Sequence, residues 1–211
     1  MSLEIRPLPR EPYTIHLVVQ WLYSEWGYTL PGNSLEWAIE RFTRRALSRR
    51  LPTCLVAYLD GVPVGTTSLV DHDLPGFEDR TPWVSGVFVH PDARSHGVGA
   101  ALLRAAREAW VSWGYSTAYL YTPDRVDFYR KMGWEVLEWR DVLEEKVAIM
   151  RYQGVTVEPK PPATCPPRGA VGATGFVSKS RPAFEEERLR ARRGASASPH
   201  RLTLVGHPPG S

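Results

Sequence analysis

At 211 residues and 43% hydrophobic content, the chain can form one full domain with a buried core and an appendage. Residues 1–154 carry 17 Lys and Arg against 19 Asp and Glu, whereas residues 155–211 carry 9 against 4, so the basic pI near 8.9 belongs to the end of the chain. That split excludes a basic nucleic-acid reader in the core, and the two cysteines, Cys54 and Cys165, have neither a metal-type spacing nor the density of a disulfide framework.

From Val155 onward, 9 prolines and 6 glycines fall in 57 residues, and Leu, Ile, Val and Phe together supply only 10. Such a composition buries too little apolar surface to offset chain entropy, so a disordered tail is expected after a domain ending at residue 154. Residues 1–30 lack the continuous apolar run of a signal peptide, and no window reaches the roughly 18 apolar residues of a membrane helix. The expectation is a cytoplasmic protein, monomeric or homodimeric, with no membrane partner.

In chain order, residues 4–8 predict a short strand, stopped by Pro7, Pro9 and Pro12. Residues 14–26 follow with helical spacing in Ile15, Val18, Val19, Leu22 and Trp26. Asn33 or Ser34 is a good N-cap for a second helix through Trp37, Ile39, Phe42, Ala46 and Leu47, with Arg41, Arg44 and Arg45 expected on its wet side. Residues 53–59 and 62–70 read as strands joined by the two-residue turn Asp60-Gly61. A polar loop leads to a third strand, 82–90, with Trp83, Ser85, Val87 and Val89 expected on one face and Val84 and Phe88 on the other; Gly86 within it suggests a bulge or a close backbone approach. Residues 98–113 are the clearest helix, with an apolar stripe of Leu102, Ala106, Ala109 and Trp113. A strand at 117–122, a short helix opened by Pro123 and closed by Gly133, and strands at 134–140 and 146–152 complete the pattern. The fold class expected is α+β: a mixed, mostly antiparallel central sheet of about seven strands flanked by about four helices.

The chemistry concentrates where a strand passes through Arg94-Ser95-His96-Gly97-Val98-Gly99-Ala100 into a helix. The first four amides of a helix lack intrahelical partners and sit at the positive end of its dipole, so they suit an anion such as a phosphate. Gly97 and Gly99 remove β-carbons from that approach, and Arg94 adds a fork-shaped charge. No Gly-Lys-Ser/Thr ending and no third glycine at the dinucleotide spacing are present, which excludes the nucleoside-triphosphate loop and the dinucleotide fingerprint.

Arg94-x-x-Gly97-x-Gly99-Ala100, preceded by Val87-x-Val89, resembles the acyl-CoA-binding signature of the GNAT acetyltransferases, and the element order matches over residues 3–152. The resemblance implies that the backbone of Val87, Phe88 and Val89 pairs with the pantetheine arm of acetyl-CoA, that amides from Ser95 to Ala100 hold its pyrophosphate, and that Gly86 marks the bulge where the strand parts from its neighbour. In Phe128-Tyr129 followed by Gly133-Trp134, the tyrosine so placed is the family's usual general acid, which assigns that role to Tyr129. Thr122 departs from the asparagine many members carry seven residues earlier. The run Asp124-Arg125-Val126-Asp127-Phe128-Tyr129 also resembles the branch containing protein N-terminal acetyltransferases.

The activity implied is transfer of an acetyl group from acetyl-CoA to a primary amine, either a small molecule or a peptide N-terminus, without a metal; the rival is a non-catalytic acyl-CoA sensor or a scaffold with a basic tail. A base must deprotonate the amine, and Glu25, Asp71, His72 and Asp73 are candidates. Trp26, Tyr28 and Trp83 are expected to wall the acceptor pocket.

Overall fold

The computed structural model describes residues 1–26, 34–142 and 145–154. Seven strands form one sheet in the order β1-β2-β3-β4-β5-β7-β6. β1 (Leu3–Pro7), β2 (Thr53–Leu59), β3 (Val62–Val70) and β4 (Trp83–Val89) pair antiparallel in succession. β5 (Thr117–Thr122) joins β4 in parallel, and β7 (Glu145–Gln153) inserts antiparallel between β5 and β6 (Glu135–Val142). The expected mixed, mostly antiparallel seven-stranded sheet with four helices is what the chain forms. Within the β2–β3 turn, Asp60 and Gly61 both have positive φ (49° and 83°), the pairing that matches the twist of a hairpin.

Alternation along the strands assigns the helices to opposite faces. Cys54 and Val56 of β2 pack with Ile15, Val18 and Val19 of α1 (Pro12–Trp26) and Phe42 of α2 (Leu35–Leu47). Leu55 and Ala57, one residue out of phase, pack instead with Val98, Leu102, Ala106 and Trp110 of α3 (Val98–Ser112). Ser34 caps α2, its Oγ accepting the Trp37 amide at 3.2 Å. The short α4 (Val126–Lys131) starts three residues later than Pro123 suggests, because Thr122 Oγ1 accepts the Arg125 amide at 3.1 Å and holds the intervening residues in a turn. Among the described residues no helix is long and apolar enough to cross a membrane.

Two expectations about side-chain direction fail. In β4, Val87 and Val89 lie with Val84 against the α3 cluster, whereas Phe88 stacks on Trp21 of α1 (ring centroids 5.4 Å apart). The extra residue of a bulge at Gly86 shifts the alternation by one and exchanges the faces downstream. On α2, Arg45 is only 7% exposed, because it follows Ala38 and Phe42 at the i, i+4, i+7 spacing of the inward stripe.

Candidate active site

Two features of β4 open the sheet. Ser68 pairs with Ser85 and Thr66 with Phe88, so Gly86 and Val87 together face the single Thr67, and Gly86 takes the left-handed φ of 59° that this bulge needs. On its other edge β4 meets β5 at Trp83↔Tyr119, where the Tyr119 amide donates to Pro82 O at 2.9 Å. Past that point no ladder joins the two strands among the described residues. The His90 amide donates to Val64 O at 2.8 Å, so His90 and, two residues back, Phe88 turn their backbone groups toward β3. Val87 and Val89 consequently direct theirs into the gap beside β5.

After β4, Pro91–Ala93 makes one 3-10 turn, and Ser95 and Gly97 take positive φ values of 68° and 74°. For Ser95 this conformation costs about 1 kcal/mol, a strain the surrounding loop sustains. Gly97 occupies the N-cap position of α3 with no side-chain hydrogen bond, and the first intrahelical bond runs from the Ala101 amide to Gly97 O at 3.0 Å. The amides of Val98, Gly99 and Ala100 are therefore without helical partners at the positive end of a 15-residue helix. Arg94, exposed, reaches back so that Nε donates to Val89 O at 3.2 Å, and His96 Nδ1 lies 2.8 Å from Arg94 O.

The two glycines of the loop serve different ends. A Cβ on Gly97 would meet no protein atom within 4 Å, and its φ of 74° is the left-handed conformation that favours glycine at this cap. A Cβ on Gly99 would lie 3.2 Å from Phe128 Cζ and 3.7 Å from Val89 Cγ2. Gly99 thereby lets α4 lie against the first turn of α3 at the mouth of the β4–β5 gap. Sequence reasoning passed over Gly65 of β3. A Cβ there would stand 2.7 Å from Phe88 O and 3.3 Å from Val98 Cγ1, so its absence seats both β4 and α3; its one sequence signal was a glycine inside a strand.

Tyr129 is buried on α4 between Phe128 and Trp134, with ring centroids 5.2 and 6.2 Å away. Burial, with the Asp124 carboxylate adding to it and Arg125 opposing, pushes the phenol well above its ordinary value, so it stays protonated throughout the neutral range. The hydroxyl of Thr122, buried, is committed to the Arg125 amide in place of any side-chain amide contact to a ligand.

The acceptor-side residues divide. Trp83 is fully buried, its Nε1 donating to Arg80 O at 2.7 Å and its ring packed on Phe77 and Tyr119, so it is a core residue and offers no wall to a pocket. Trp26 ends α1 and is exposed, while Tyr28 lies outside the described residues. Glu25 lines a shallow open cleft with Trp21, Ser24, Phe88, His90 and Arg94, next to the loop. Asp71 and His72 are exposed, but Asp73 turns inward and accepts the Ser85 hydroxyl at 3.0 Å. Among the described residues no cluster of His, Cys, Asp or Glu is arranged to hold a metal ion.

Residues 50–136 match the family model for the acetyltransferase (GNAT) domain. The fold is similar to that of a GNAT-family acetyltransferase from Streptococcus pneumoniae (TM-score 0.54, 18% identity, 73% of this chain and 100% of that one). It is also similar to the PaiA N-acetyltransferase of Thermoplasma acidophilum in complex with coenzyme A (0.51, 21%, 72% and 99%). A third similar structure is YncA, a putative acetyltransferase of Salmonella typhimurium with its cofactor acetyl-CoA (0.57, 16%, 78% and 100%). No curated protein matches the sequence. The split β4–β5 pair and the α3 terminus without a side-chain cap both lie inside the stretch, residues 50–136, that is similar to a GNAT acetyltransferase domain, and the fold as a whole is similar to that of the GNAT acetyltransferases.

Proposed function

We propose that the protein transfers an acetyl group from acetyl-CoA to a primary amine by direct attack within a ternary complex. The observation that carries this reading is the juxtaposition, at one opening of the sheet, of α3 amides without helical partners and a β4 edge that past Trp83 has no ladder to β5 among the described residues, where Val89 O is met by the Arg94 side chain. Val98, Gly99 and Ala100 amides, with those of Ser95 to Gly97 and the Arg94 guanidinium, hold the pyrophosphate; a singly bonded oxyanion accepts several donors at once there, next to a helix dipole. Val87 and Val89 pair with the pantetheine arm as an added strand would, and a backbone N–H of this stretch meets the oxyanion formed during attack. One such donor lowers a barrier by about 3 kcal/mol.

The amine attacks in its neutral form, the C–S bond breaks as the tetrahedral intermediate collapses, Tyr129 donates its phenolic hydrogen to the departing sulfur, and the proton lost from the new amide nitrogen restores the phenol. Burial keeps that hydrogen on the phenol at neutral pH, so it is present to be donated as charge develops on the sulfur. Thiol release from acetyl-CoA, measured across N-terminal peptides, aminoglycosides and polyamines, tests the reading. Turnover with one acceptor class, reduced about a hundred-fold or more in Tyr129→Phe with acetyl-CoA affinity retained, is the expected result. Equal turnover in the variant would remove Tyr129 from the chemistry.

A further inference from the structure

Behind the β4 bulge, on the α1–α2 face, lies a charged cluster that binding of acetyl-CoA does not use. Arg41 and Arg45 stand one turn apart on α2. Arg45 is 7% exposed; its Nη1 donates to Ser68 Oγ at 2.9 Å, and its guanidinium lies 4.6 Å from the centroid of Phe42. Arg41, partly exposed, sits 4.7 Å over Trp37. The Nε atoms of both arginines are buried and without a hydrogen-bond partner among the described residues. Asp73 is the carboxylate that acts on both, and one of its oxygens is occupied by the Ser85 hydroxyl.

Two guanidiniums and one carboxylate leave a surplus positive charge in a poorly solvated place, which costs stability unless an anion completes it. The carboxylates nearby on α2 do not. Glu40 pairs with the exposed Arg44 at 3.5 Å, and Glu36 serves the exposed first turn of the helix. The α1–α2 connection, residues 27–33, contains no Asp or Glu. By contrast Arg80, the third arginine with a buried unpartnered nitrogen, has its own carboxylate in Glu138 at 3.1 Å. Ser85, which donates to Asp73 and pairs with Ser68, is followed in β4 by the Gly86 bulge and the Val87–Val89 backbone, so the cluster and the β4–β5 gap share one strand.

We propose that Arg41 and Arg45 form an anion subsite for the acceptor, whose substrate class is then an amine that carries a carboxylate. This rests on the acetyl-transfer reading. The carboxylate belongs either to a free amino acid or to an acidic residue at a peptide N-terminus, and matched pairs separate the two: amino acids against their amides, and Asp- or Glu-first peptides against Asn- or Gln-first ones.

With acetyl-CoA saturating, the acidic member of one pair is expected to have a kcat/KM about ten-fold or more above its amide. Arg41→Gln brings that ratio toward one, and Arg41→Lys keeps part of it, with acetyl-CoA affinity unchanged in both and the thermal midpoint of the ligand-free protein not lowered in Arg41→Gln. Equal ratios in the wild-type protein, or a ratio that survives Arg41→Gln, overturn the subsite. Calorimetric titration of the CoA-saturated protein with the same pairs is independent of turnover. Acid-selective binding lost in Arg41→Gln without thiol release would overturn acetyl transfer and keep the subsite; thiol release without acid preference would do the reverse, and neither binding nor release overturns both.

Discussion

Replacing Gly65 with alanine would place a Cβ 2.7 Å from Phe88 O, 3.3 Å from Val98 Cγ1 and 3.4 Å from Leu102 Cδ1. The side chains of α3 can give by a few tenths of an ångström, but the carbonyl belongs to the β4 backbone and cannot relax without moving the strand. Overpacking of this kind costs about 1 to 3 kcal/mol, and the loss of glycine's freedom in the unfolded chain returns about 0.4 to 1 kcal/mol. The net expectation is about 1 to 2 kcal/mol, which for an ordered region of this size lowers the midpoint by about 2 to 8 °C. Thermal and urea unfolding followed by circular dichroism read the effect, with Gly154→Ala as control, since its Cβ would find its nearest atom at an ordinary 3.5 Å. Acetyl-CoA affinity should also weaken in Gly65→Ala, because the displaced carbonyl lies between Val87 and Val89. A Gly65→Ala protein as stable as wild type and unchanged in acetyl-CoA affinity would refute the reasoning.

Thr122→Val removes the acceptor for the Arg125 amide while keeping the shape, so a loss of about 1 kcal/mol is expected, with faster amide exchange over α4 than elsewhere. Burial raises the Asp73 carboxyl above its usual range, outweighing the Ser85 hydrogen bond and the two guanidiniums. A carboxyl raised on folding binds its proton more tightly in the native state. Its contribution is fully present below the unfolded value and declines as pH rises through the folded one. The stability of Asp73→Asn relative to wild type should therefore improve with pH across that window, and a flat difference would contradict the assignment.

Much of this architecture was legible in the sequence because it is written in local signals. The Asp60-Gly61 turn and the Ser34 cap each depend on neighbouring residues alone and lie where those signals put them, as does α3 itself, although its buried stripe runs from Leu102 and Ala106 to Trp110, with Ala109 and Trp113 only partly buried. The loop was legible for the same reason: residues 94–100 join a strand to a helix with glycine at the cap. What escaped was long-range. Alternation in β4 was read without the one-residue shift at Gly86, although the glycine itself had suggested a bulge, and Val87, Val89 and Phe88 were assigned to the wrong faces. Trp83 looked like a pocket wall because its strand borders the opening, but its side chain belongs to the layer beneath the β3–β4 connection. Arg45 was placed in water on the strength of its charge, against its own helical spacing. Gly65 carried no signal of the carbonyl it has to clear, since Phe88 is distant in sequence.

The most direct test of the central claim is a calorimetric titration of the full-length protein with acetyl-CoA, with CoA and with pantetheine, repeated in Arg94→Gln. If the α3 terminus and the β4 edge hold an acyl-CoA, both nucleotide-bearing ligands bind, pantetheine binds far more weakly for want of the pyrophosphate, and Arg94→Gln weakens the first two about ten-fold or more while leaving pantetheine unaffected. No binding of acetyl-CoA, or equal affinity for pantetheine and CoA, would contradict the account.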